Sequence, residues 1–183
     1  MQSILEQEPV FVYSGDMEHR VPLFYDACGK QAQFDEVIRD ICAFVKQEPK
    51  RFYKVVVGSD SSAYHLEPFE SSVITAVIVW RVGRGGIYFL TQTPRQTFYT
   101  RRDRIIAETM NSLMLAQEIR SRLRATLGDE FLWDGNEIHA DIGENGETKD
   151  FIKEVTGLIR GHDFIPVIKP EAWGAATVAD KHT

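Results

Sequence analysis

No stretch of this chain stays apolar for the roughly 20 residues that a membrane-spanning helix needs, which excludes an integral helical membrane protein. Cysteine is scarce. Cys28 and Cys42 lie far apart and in no metal-ligand spacing, so they imply no disulfide framework. Cys42 falls inside an apolar helical stripe and reads as a small core residue. The N-terminus, MQSILEQEP, carries acids and no basic segment ahead of an apolar run, so it does not read as a secretory signal and the expected location is the cytoplasm. Internal repeats and low-complexity tracts are missing as well. So is an excess of basic charge: a net charge of −6 argues against a protein that coats nucleic acid indiscriminately.

What is present suits one soluble globular domain. The length of 183 residues, with 43% hydrophobic and 26% charged residues, allows a substantial core. Charge is unevenly spread. Residues 81 to 124 carry nine arginines against three acids, whereas residues 125 to 183 carry twelve acids against five basic residues. Arg101, Arg102 and Arg104 either solvate a helix end or face an anionic ligand.

The first 32 residues are hard to assign: PVFVY could be a short strand, and SGDMEH and DACGKQ read as turns. From Phe34 the apolar positions Val37, Ile38, Ile41, Phe44 and Val45 follow a helical period that should stop near Pro49. The strand VVVGSDSS follows, then SSVITAVIVW, the turn GRGG at 83 to 86, and IYFLTQT, which together predict a hairpin added to the first strand. A long helix is expected from about Thr100 to Leu127, stopped by Gly128. EIHADIG reads as a strand, Thr148 and Asp150 open a further helix, FIPVI is a last strand, and EAWGAATVADKHT has the small residues of a closely packed helix.

Three consecutive strands, then two reached through helical crossovers, give a mixed sheet in the element order of the ribonuclease H fold. The expected architecture is α/β, with a five-stranded mixed sheet of order 3-2-1-4-5, helices on both faces and an N-terminal helical extension. Residues 1–33 would be that extension and 34–183 a single domain. In this layout VVVGSDSS and EIHADIG are parallel neighbours.

Three valines in a row suit a doubly buried strand, yet the run delivers Asp60 into the layer where charge is most costly. Alternation places Val56, Gly58 and Asp60 on one face. Asp141 ends the neighbouring strand in the same way, and two aspartates so placed repel. A divalent cation relieves that repulsion, and Mg²⁺ or Mn²⁺ takes such hard oxygen ligands. Glu108, at the edge of the long helix's apolar arc, and Asp180, in the alanine-rich tail, can join them. Each acid taken alone has a plainer role: Asp60 and Asp141 as turn caps, Glu108 as a partner of Arg104 or Arg101, Asp180 as tail solvation.

VVVGSDSS, AETMNSLMLAQEI, IHADIGENGETKDFIKEV and KPEAWGAATVADKHT resemble the ribonuclease H-like superfamily, and within it the YkuK-like group of predicted ribonuclease H-like bacterial proteins. The resemblance covers roughly residues 34 to 183. It implies a nuclease whose metal-binding and catalytic acids map onto Asp60, Glu108, Asp141 and Asp180. Hydrolysis of a phosphodiester would then use two Mg²⁺ or Mn²⁺ ions about 3.5–4 Å apart. By the same resemblance Asp60 bridges both ions, Glu108 and Asp141 complete one site, and Asp180 completes the other. Arg101 and Arg102 are candidate substrate contacts and His182 a candidate proton shuttle. His139 reads as a core residue, and Trp80, Trp133 and Trp173 as packing residues rather than base-stacking platforms.

The expected partner is nucleic acid, as RNA, an RNA–DNA hybrid or DNA. The chain shows no basic, Trp-bearing handle of the kind a hybrid-specific enzyme uses. A catalytically silent module that binds nucleic acid or protein on the same fold is the alternative. A sugar kinase of the actin-like type would need a duplicated domain and phosphate-binding glycine loops, and this chain has neither.

Overall fold

The computed structural model describes residues 22–62, 67–128, 133–144, 148–173 and 179. In chain order these form β1 (Phe24–Asp26), β2 (Gln31–Ala32), α1 (Phe34–Gln47), β3 (Tyr53–Ser61), β4 (Phe69–Ser71), β5 (Val73–Arg81), β6 (Gly86–Gln92), β7 (Gln96–Phe98), α2 (Arg101–Leu127), β8 (Trp133–Ala140), a 3₁₀ turn (Lys149–Phe151), α3 (Ile152–Gly161) and β9 (Ile165–Val167). The main sheet runs β2-β1-β6-β5-β3-β8-β9, and β4 pairs with β7 in a separate two-stranded ribbon.

Within that sheet, β6-β5-β3-β8-β9 is the expected 3-2-1-4-5 order. β3 runs antiparallel to β5 and parallel to β8. The sheet has seven strands rather than five. The two additional strands come from residues 24–32, assigned from sequence to the N-terminal extension: β1 pairs antiparallel with β6 and with β2. The turn between them is set by Asp26, whose carboxylate accepts from the backbone N–H of Cys28 and Lys30. The described part of the extension is therefore strand, not helix, and residues 1–21 lie outside the described residues.

The three described helices share one face of the sheet. Val55 and Val57 of β3, Val77 and Val79 of β5 and Ile138 of β8 pack there against Ile41 of α1, Leu113 and Ile119 of α2 and Val155 of α3. The helix expected in the tail, which would cover the other face, lies outside the described residues apart from Trp173 and Ala179. On the other face Val56, Ala76, Ile78 and Leu90 gather around Ala179, the one described residue of the tail beyond Trp173. Strand alternation produces both clusters, because residues paired across antiparallel strands share a face.

Local chemistry explains the ends of the elements that reach the site. Thr100 caps α2: its hydroxyl accepts from the Asp103 N–H while the Asp103 carboxylate accepts from the Thr100 N–H, and an acid in the first turn complements the helix dipole. Gly128, at φ +72°, ends the helix in a backbone conformation that disfavours other residues. Between β5 and β6 the glycines at 83 and 85 supply the positive φ that the turn requires.

Candidate active site

β3 and β8 end side by side, with Gly58 opposite His139 and Ser59 opposite Ala140. The next positions along them are Asp60 and Asp141. In β3, Ser59 and Ser61 point to the helical face and Asp60 to the other; Asp60 is only 7% exposed. The hydroxyls fix α2 against the sheet. Ser59 Oγ lies 2.8 Å from Thr75 Oγ1 and 2.7 Å from Ser112 Oγ, so one buried relay ties β3, β5 and α2 together.

One strand residue further, Ser61 Oγ donates to Glu108 Oε1 at 2.6 Å. Arg104 Nη1 reaches the same oxygen at 3.1 Å and the Ser61 carbonyl at 3.3 Å. Arg104 precedes Glu108 by one helical turn; the Glu108 side chain is buried and that of Arg104 largely so. The plainer role foreseen for Glu108, pairing with Arg104, is therefore present in the structure. It does not neutralise the site. Burial pushes the Glu108 carboxyl up to about 8; Arg104 and Ser61 pull it down, and the charges of Asp60 and Asp141 push it up again. Both aspartates thus act on the glutamate, and three carboxyls share one end of the sheet.

Asp141 is held from the opposite side. The loop after β9 packs on the loop after β8 through the Lys169 N–H, which donates to the Ile142 carbonyl at 2.8 Å. Lys169 Nζ then lies 2.9 Å from Asp141 Oδ1. The approach is oblique, since that buried oxygen accepts no well-directed hydrogen bond. A cavity of about 10 Å³, no larger than one water needs, is lined by Ser59, Glu108, Ser112, His139 and Asp141. A larger groove of about 670 Å³ lies elsewhere, between α1 and α2, beside Asp35, Arg39, Cys42 and Arg122. It holds none of the candidate acids.

Among the described residues no three His, Cys, Asp or Glu side chains are already drawn together as a metal cage. The donor set still suits a hard divalent cation, for two reasons. Asp141 Oδ1 is a buried carboxylate oxygen whose lone pairs are poorly used, and burial, with the charges of Asp60 and Asp141, raises the Glu108 carboxyl although Arg104 stands beside it.

The other sequence candidates fare differently. Asp180 and His182 lie outside the described residues, although Ala179, next to Asp180, is fully buried. Arg102 is engaged by Glu154 of α3, its Nε at 3.0 Å from Oε2 and a second contact joining Nη2 to Oε1. The backbone N–H of Arg101 donates to Glu67. His139 is a core residue as expected. It is 1% exposed, set edge-on to Trp173, with Nε2 at 3.5 Å from Glu137 Oε2, and burial pushes its pKa down despite that carboxylate. Trp173 also packs edge-on against Trp80.

Sequence reasoning missed Ser61 and Lys169. Ser61 was legible, standing next to Asp60 in the strand motif. Lys169 is 28 positions from Asp141 and carried no local signal.

Comparison with known proteins adds two findings. A sequence description of the family "Ribonuclease H-like" matches residues 36–183. The chain is also similar to the "Uncharacterized protein YkuK" of Bacillus subtilis (strain 168), with 31% identity over 169 residues, 88% of this chain and 96% of that protein. No solved structure matches.

Proposed function

The chain belongs to the ribonuclease H-like family, and from that premise we propose that it is a metal-dependent nuclease that hydrolyses phosphodiester bonds of nucleic acid. The observation that carries this reading is the buried Glu108 carboxyl, which Ser61 and Arg104 hold over the strand ends that carry Asp60 and Asp141, and which burial and the charges of those aspartates raise to about 8. Three acids that repel one another at a strand end are stabilised by a proton or by a cation, and a cation also serves chemistry.

Asp60, Glu108 and Asp141 would hold the metal, with Asp180 as a fourth ligand. Bound there, Mg²⁺ or Mn²⁺ supplies an acidified water and charge stabilisation for the phosphoryl oxygens, in a pair of ions by the family pattern. The chain's own groups do the rest. Ser61 and Arg104 fix one oxygen of Glu108, and a metal held here would draw on the other. Ser59, Thr75 and Ser112 set the height of α2 over the sheet, and with it the position of Glu108. Glu108 gives up its proton as the cation arrives, so binding strengthens as pH rises toward 8. Arg101 and, on release from Glu154, Arg102 would contact the phosphate backbone.

A binding module without catalysis is the second reading. It is favoured by one observation, that Arg104 and Lys169 already stand beside two of the three acids. One experiment separates the two. Purified protein is incubated with labelled RNA, RNA–DNA hybrid and DNA in Mn²⁺, Mg²⁺ or chelator. Cleavage is expected with either metal and absent with chelator and in Asp60→Asn. Binding without cleavage in every metal would establish the module, and a folded protein that neither binds nor cleaves would reject both.

A further inference from the structure

We propose that Lys169 is the resident counter-ion of Asp141, a positioning residue that holds this carboxylate in the metal-free protein and is displaced from it when a divalent cation binds. The inference rests on the metal reading given above. Its starting point is the unequal way in which the site's two cations hold their acids.

The Arg104 side chain is only 12% exposed, and one of its nitrogens meets both Glu108 and the Ser61 carbonyl. Two acceptors thus hold it in a place that water barely reaches, so it stays. Lys169 is different. Its side chain is 50% exposed, and its ammonium lies 2.9 Å from Asp141 Oδ1 without completing a well-directed hydrogen bond to that buried oxygen. The contact therefore neutralises charge while leaving the oxygen's lone pairs poorly used. A lysine ammonium is compact, readily hydrated and carried on a flexible stem, so its release into water costs little. A hard divalent cation brings twice the charge and bonds the oxygen directly.

The backbone shows why the lysine stands there at all. The Lys169 N–H is fixed to the Ile142 carbonyl at 2.8 Å, and a Cβ added at Gly143 would meet the Lys169 Cβ at 3.0 Å. The loops after β8 and β9 are thus packed against each other at the root of this side chain. Only its end is free to exchange partners. Two consequences follow: Asp141 keeps its place before a metal arrives, and metal affinity is lower than the acids alone would give.

The test is calorimetric titration of Mn²⁺ into the wild-type protein and into Lys169→Met, with Lys169→Arg as a charge-retaining control. Removing the competitor should tighten Mn²⁺ binding about two- to fivefold, the range for a partly exposed ion pair, while Lys169→Arg stays close to wild type. A second readout uses the wild-type protein alone. Acylation of Lys169 by an amine-reactive ester, followed by peptide mass spectrometry, should accelerate when Mn²⁺ saturates the site. If Mn²⁺ binds wild type and Lys169→Met equally well, or binds the variant more weakly, Lys169 is no competitor and the inference falls while the metal site stands. Unchanged acylation at saturating Mn²⁺ overturns it in the same way, even if Lys169→Met fails to fold. If wild type and variant both fail to bind Mn²⁺, the metal reading itself falls and takes this inference with it.

Discussion

Glu108→Gln tests whether the acid cluster is strained by its own charge. In the metal-free protein the Glu108 carboxyl stands at about 8 against an ordinary 4.5, chiefly through burial, with Asp60 and Asp141 adding to it. The folded state then binds this proton more tightly than the unfolded chain does. Stability is therefore full below about pH 4.5 and is lost as pH rises through about 8. At about 1.4 kcal/mol per pH unit, the loss across that window is on the order of 5 kcal/mol, and on the order of 3 kcal/mol of it is gone by pH 7. Glutamine keeps an acceptor for Ser61 and Arg104 but cannot titrate, so the variant should lack this slope and overtake wild type in the upper part of the window. Urea denaturation in chelator at half-unit steps from about pH 5 to 8.5 measures both curves, and their difference isolates residue 108 from every other titrating group. At pH 8 the melting temperature of the variant should exceed that of wild type by several degrees. Saturating Mn²⁺ should flatten the wild-type slope, because the cation takes the place of the proton. Parallel curves for wild type and variant in chelator would refute the reasoning.

Three further outcomes are expected. Millimolar Mn²⁺ or Mg²⁺ should raise the melting temperature of wild type, by about 2.7 kcal/mol of stabilisation at a hundredfold excess over Kd, and Asp60→Asn should abolish the gain in the same thermal scan. Arg102→Ala should leave the melting temperature close to wild type, since its pair with Glu154 is exposed; charge reversal at both Arg101 and Arg102 should weaken nucleic-acid binding and flatten its salt dependence, and an unchanged slope would return both residues to surface solvation. Asp180→Asn, which keeps volume and removes charge, should abolish metal-dependent cleavage with little effect on folding; near-wild-type rates would reduce the ligand set to Asp60, Glu108 and Asp141.

The elements that could be read from sequence are those whose burial imposes a period over many residues. α1 and α2 each carry an apolar arc closed by a recognisable stop, and α2 begins one residue after the Thr100 that was expected to open it. β3 and β5 are nine residues each, long enough for β-branched runs to declare themselves. β1 and β2 have three residues and two, too few for any alternation, so only the DACGKQ turn between them was legible. β4 and β7 were missed for the same reason. The aspartates of the site were visible because strand alternation fixes which face a residue takes. Lys169 was not, because it reaches Asp141 through the packing of two loops that no periodicity describes.

The energetics of Glu108 bear on the choice between a nuclease and a silent module. A buried methionine or leucine at this position would be as stable or more so, since a buried charge pair seldom outweighs the desolvation of its members. Arg104 and Ser61 offset part of that penalty, yet the carboxyl still stands at about 8, so the offset is incomplete. The arrangement therefore costs stability at neutral pH, and costs of this kind concentrate at functional sites. A module that only held nucleic acid would gain nothing from acids at this end of the sheet, because phosphates are repelled by carboxylates and drawn to unpaired lysine or arginine. With a divalent cation bound the sign would reverse: the acids would bind the metal and the metal the phosphate. The same three carboxyls that obstruct simple binding would then become the means of holding a substrate at the point of hydrolysis, which is why the strain on Glu108 weighs toward the proposed catalysis.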